Sequence, residues 1–102
     1  MNIPEKIDIA GHEVRIEIKD ILLDHERQET AGFAYLNSER IEIAKFGREE
    51  EEASEDNQAE TLLHEIVHLV SDKWYIELKE DQVEKLATGL YQVLKNNRLQ
   101  FF

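Results

Sequence analysis

The hydrophobic period changes once along this chain, and that change dictates its fold class. Val14-Arg15-Ile16-Glu17-Ile18 alternates apolar and charged residues with period two, as a strand with one buried face must. Gly11 marks a turn ahead of it. Ala31 to Leu36, carrying Phe33 and Tyr35, reads as a second strand, and Arg40 to Ala44 alternates again. The polar Asn37-Ser38-Glu39 between them reads as the loop of an antiparallel hairpin. From about Ser54 to Trp74 the period becomes helical, with Ser54, Asp56 and Asn57 each able to cap the start. A second helix is predicted over Glu80 to Asn97, where Val83, Leu86, Ala87, Leu90 and Leu94 share the i, i+3, i+4, i+7 spacing. The connection Tyr75 to Lys79 is short, so the two helices should pack on each other. The expected architecture is α+β: a small antiparallel sheet of about three strands followed by two packed helices, in one domain over residues 1–102.

Composition narrows the function classes. With 102 residues, 41% hydrophobic and 34% charged, the chain can build one small core and is too apolar for disorder. Its net charge of −11 repels phosphate backbones, so neither nucleic acid nor an anionic membrane is an expected partner. There is no cysteine, which leaves His, Asp and Glu as the only strong metal ligands. The first ten residues lack the apolar stretch of a signal peptide, and no window reaches the length of a membrane span, so a cytoplasmic location is expected. The acidic run Glu49 to Glu52 reads as a solvated linker or a negative first helical turn. Phe101-Phe102 is an apolar tail that either docks on the sheet or meets a partner.

The chemistry concentrates in His64-Glu65-Ile66-Val67-His68, an H-E-x-x-H pattern. Residues four apart on a helix lie on one face, about 6 Å apart along the axis, so both imidazoles can converge on one metal ion. The glutamate beside the first histidine stands close enough to take a proton from a metal-bound water without being a ligand. On a helical wheel Leu62, Leu63, Ile66 and Val70 centre on one side and the histidine pair lies roughly opposite. The apolar stripe can then pack on the sheet while the histidines face a cleft.

Two histidines do not complete a catalytic site, which ordinarily has three protein ligands and an open position. His12 and His25 sit in polar turn or loop sequence and read as exposed residues. The second helix offers Glu80, Asp81 and Glu84. Glu84 follows the core residue Val83 and precedes the small Ala87 by one turn, which borders the helix interface best; Glu80 comes next. Asp72 could orient a ligand or simply be solvated. Tyr91 could donate to a developing oxyanion or pack between helices, and Trp74 and Tyr75 are expected to cap the small core.

Thr61 to Val70 resembles the metal helix of the gluzincin group of zinc peptidases. Glu84-Lys85-Leu86-Ala87 resembles the E-x-x-A segment of the ImmA/IrrE-like metallopeptidases, and the strand around Ile41-Glu42-Ile43 fits the same family. The resemblance covers roughly residues 40–97, with Val67 standing where the family has a small residue. It implies a minimal zincin holding Zn²⁺ through His64, His68 and Glu84, with Glu65 as general base, acting on a peptide or protein substrate in a phage or mobile-element setting. A substrate strand is expected to pair with an exposed sheet edge near Ile41 to Ala44. The alternative is a non-catalytic module that zinc merely stabilises for binding or regulation.

Overall fold

The computed structural model describes residues 3–46 and 52–99 of the chain. Four strands come first: β1 (Lys6–Ile9), β2 (His12–Lys19), β3 (Gly32–Tyr35) and β4 (Arg40–Ala44). Two helices follow, α1 (Glu55–Lys73) and α2 (Glu80–Asn96). The α+β architecture of a sheet followed by a helix pair is therefore as expected. No helix among the described residues is long and apolar enough to cross a membrane. Glu49 to Glu51 of the acidic run and the Phe101-Phe102 tail lie outside the described residues.

The sheet itself differs from the expectation in two respects. It has a fourth strand, β1, and it is mixed, with the order β1-β2-β4-β3. β1 pairs antiparallel with β2 through a two-residue turn at Ala10 and Gly11, both at positive φ (55° and 79°). Positive φ at both central residues twists the turn to match the strands it joins. The Asp8 carboxylate fastens it by accepting the Gly11 N–H at 3.0 Å. Beyond β2 the chain crosses to the far edge, forms β3, and returns as β4 between the two. β4 thus runs parallel to β2 (Ile16 opposite Ile41, Ile18 opposite Ile43) and antiparallel to β3 (Phe33 opposite Glu42). Because β4 is flanked on both sides, Ile41 to Ala44 offers no free edge for a substrate strand. The free edge on that side belongs to β3.

Alternation sorts the two faces. Ile9, Val14, Ile16, Ile41 and Ile43 point at α1 and close a core with its Leu62 and Leu69. Side chains of this size contribute about 1.5–3 kcal/mol each when fully buried. The opposite face carries charged and aromatic groups. Glu42 is buried there and accepts the Tyr35 hydroxyl at 2.6 Å, while the Arg40 guanidinium lies 4.3 Å over the Tyr35 ring.

Helix α1 starts where Ser54 caps it, the Ser54 Oγ accepting the Asn57 N–H at 3.1 Å, with Glu55 and Asp56 favourably placed in the first turn. It ends with Tyr75 in the left-handed region (φ 55°), as Ile76 N–H bonds Ser71 C=O at 2.8 Å and Tyr75 N–H bonds Asp72 C=O at 3.4 Å. This reversal leaves Trp74 55% and Tyr75 94% exposed, so neither caps the core. α2 packs back along α1 through Ala59, Leu63, Ala87 and Tyr91. Tyr91 donates to Asp56, whose other oxygen lies 2.7 Å from Lys95 Nζ. Tyr91 therefore takes the packing role, tying the helices together at the end distant from the α2 N-terminus.

Candidate metal centre

Helix α1 carries His64, Glu65 and His68 on the side that faces neither the sheet core nor the bulk of α2. Donor atoms of the three lie within 4.8 Å of one another, and the two imidazole centroids are 4.9 Å apart. The i, i+4 spacing of the pair on a regular helix produces this convergence.

The third group comes from the first turn of α2. Glu80 Oε1 lies 2.7 Å from His64 Nε2, and its Oε2 lies 3.1 Å from His68 Nε2. Around a tetrahedral zinc with ligand bonds near 2.0–2.1 Å, donor atoms are separated by about 3.3 Å. The observed separations, 2.7 and 3.1 Å, are slightly shorter than this. Two imidazoles and a carboxylate form a donor set that suits a divalent first-row metal, and the residues present fit one. Glu84 lines the same cleft one turn further along α2, without a hydrogen bond or ion pair to either histidine among the described residues. Residues 80 and 84 share a face of α2, so the position of the helix along its axis decides which reaches the imidazoles. The short connection after Lys73 places the first turn there. Lys79 N–H donates to Gln82 Oε1 at 2.8 Å, which caps the helix so that Glu80 is its first residue.

Glu65 differs in its surroundings. It is 7% exposed, lines the cleft, and has no hydrogen-bond or ion-pair partner among the described residues. Burial first, and then the negative charge of Glu80, push its carboxyl up to about 7. Burial also lowers the pKa of His68, against the opposing effect of Glu80, so His68 is neutral near pH 7 and able to donate a lone pair.

Gly32 on β3 explains how the edge strand comes this close to Glu65. A Cβ on Gly32 would stand 2.6 Å from Thr61 Cγ2, 3.2 Å from Glu42 O and 3.3 Å from Glu65 Cγ. Hydrogen bonds of an antiparallel ladder alternate, and Ala44 N–H donates to Ala31 C=O at 2.8 Å. The peptide groups of Gly32 and Ala34 therefore point away from β4, along the free edge. The cleft runs between this edge, α1 and the start of α2, with a volume of about 1220 Å³, above the 300–1,000 Å³ typical of small-molecule sites. Sequence reasoning passed over Gly32; a glycine opening an otherwise β-prone segment was the available signal.

The other sequence candidates lie elsewhere. His12 Nδ1 pairs with Glu39 at 2.8 Å, and His25 packs edge-on to Phe33 at 5.6 Å; neither lines the cleft. Asp72 lines the cleft but makes no hydrogen bond to His68 among the described residues. No protein-family model, curated protein or solved structure matches the chain.

Proposed function

We propose that the chain is a zinc-dependent peptidase in which His64, His68 and Glu80 hold the ion, Glu84 being the alternative third ligand, and Glu65 moves the proton. The observation that carries this reading is the environment of Glu65. A site built only for stability closes around its ion and has no use for a buried, unpartnered carboxylate aimed into a cleft. The resemblance of Thr61 to Val70 to zinc-peptidase metal helices supports the same reading. Zinc, when bound, supplies a Lewis acid that polarises a carbonyl and lowers the pKa of water toward 7.

The chain's own groups supply the rest. Glu65, with its carboxyl near 7, can accept the proton of the attacking water at a carboxylate oxygen and return it to the leaving amine nitrogen. The outward N–H of Gly32 and the N–H and C=O of Ala34 can align an extended substrate beside it, as an added strand, while the Gly32 C=O accepts the Thr30 hydroxyl at 3.2 Å. Burial of Glu65 against β3 keeps bulk water from levelling its basicity.

The test is turnover of a fluorogenic peptide library by zinc-supplied protein, with Glu65→Gln in parallel. Loss of about 10²–10⁴-fold in kcat/KM in the variant is expected. Equal rates for both proteins, or no turnover by either, would overturn the proposal.

A further inference from the structure

The cleft carries far more negative charge than a metal site uses. Glu60, Asp72, Glu77 and Glu84 line it in addition to Glu65 and Glu80, and the one lysine or arginine among its described lining residues is Lys79. A divalent ion offsets at most the charge of Glu65 and Glu80. Four carboxylates against one ammonium then remain. Among the described residues Asp72, Glu77 and Glu84 form no ion pair, and Glu60 only accepts the Thr88 hydroxyl at 2.7 Å. These charges are not neutralised within the fold.

Two independent features mark the cleft as a place where a ligand lies. Glu65 is more than nine-tenths buried and unpartnered, and it lines the cleft from the floor of α1. The opposite wall is the free edge of β3, where the Gly32 N–H and the Ala34 N–H and C=O point outward, an array that suits an extended backbone rather than a compact small molecule. Carboxylates on α1, on the connection and on α2 then face the side chains of whatever lies along that edge.

We propose that the cleft selects a cationic peptide: an extended segment with lysine or arginine side chains directed at Asp72, Glu77 and Glu84. This deepens the peptidase reading and rests on the cleft being the substrate site. Clefts lined by one sign of charge concentrate ligands of the opposite sign and raise their association rate. Exposed pairs are individually weak and screened by salt, so the preference is collective and depends on ionic strength.

The experiment uses the zinc-supplied 102-residue chain carrying Glu65→Gln, so that bound peptide is not cut. Three labelled peptides of equal length differ only in having lysine, glutamine or glutamate at alternate positions, and fluorescence anisotropy gives Kd in low salt and in 1 M salt. The lysine peptide should bind about tenfold more tightly than the glutamine peptide in low salt, with the difference nearly abolished at 1 M. Adding Asp72→Asn, Glu77→Gln and Glu84→Gln should remove the preference. Adding Glu5→Gln, Glu13→Gln and Glu26→Gln, an equal change in net charge away from the cleft, should leave it in place. Equal binding of all three peptides, or loss of the preference in both triple variants, would overturn the proposal.

The wild type separates this failure from failure of the peptidase reading. Cleavage of lysine and glutamine peptides with equal kcat/KM removes the preference and keeps the hydrolase. No cleavage, together with a preference that only the cleft triple variant abolishes, removes the hydrolase and keeps a cationic-peptide site.

Discussion

Gly32 and Thr61 touch so closely that one added methyl group would bring β3 and α1 into collision. The distance from the added Cβ to Thr61 Cγ2 would be 2.6 Å, and Glu65 Cγ lies 3.3 Å from the same point. Gly32→Ala is therefore expected to cost about 1–3 kcal/mol in urea unfolding. It should also weaken Co²⁺ binding, read from the visible absorption of the substituted protein, because the strain falls on the turn of α1 that carries His64. Thr61→Ala combined with Gly32→Ala should recover much of both losses. A double variant no better than Gly32→Ala alone would show that the Glu42 carbonyl, not Thr61, sets the limit.

The two acidic residues facing the histidines should differ in their effect on metal binding. Wild-type protein supplied with zinc is expected to hold about one ion per chain by elemental analysis, and His64→Ala with His68→Ala to hold none. Glu80→Gln should lower affinity at least tenfold, since Glu80 already bridges both imidazoles at 2.7 and 3.1 Å. Glu84→Gln should change it by less than threefold. The reverse order of effects would restore Glu84 as the ligand.

Alkali should expose the tie between the helices. Burial, and then the bond to Asp56, push the Tyr91 hydroxyl up to about 12 from an ordinary value of 10.0. Between those two pH values the folded chain keeps a proton that the unfolded chain has lost. Stability from this group is thus present below pH 10 and is lost as pH rises through 12. Denaturant titrations from pH 9 to 12 should show this slope in the wild type and a shallower one in Tyr91→Phe. Identical slopes would remove Tyr91 as its source.

Tyr75 occupies the left-handed position that ends α1, where a β-carbon costs about 1–2 kcal/mol. Its ring is 94% exposed and contributes almost no packing. Tyr75→Gly should raise the thermal midpoint, by about 0.5–1 kcal/mol in stability after the glycine's extra freedom in the unfolded chain is counted. An unchanged or lower midpoint would mean that the tyrosine ring holds the connection in place.

The elements were legible where one period ran long enough to read. Alternation marked β2 and β4, and the α1 stripe of Leu62, Leu63, Ile66 and Val70 placed the histidine pair opposite the core. β1 was passed over because Lys6 to Ile9 is only four residues long, too short for its alternation to stand out. The parallel pairing of β2 with β4 was not legible, because alternation fixes which side of a strand is buried and says nothing about its neighbour. Glu80 and Glu84 share a helix face, so periodicity could not choose between them. That choice depends on the reversal at Tyr75, which the sequence does not mark with the usual glycine.

The strand edge that borders the cleft has a cost as well as a use. The outward Gly32 N–H and Ala34 peptide groups on β3 will accept any extended chain, including the β3 of another copy. Two features guard against this pairing: β3 is only four residues long, and a net charge of −11 keeps copies apart. Acidification protonates the carboxylates and removes the second safeguard while leaving the edge in place. The chain should therefore clump in mild acid before it unfolds, and it is best stored at neutral pH.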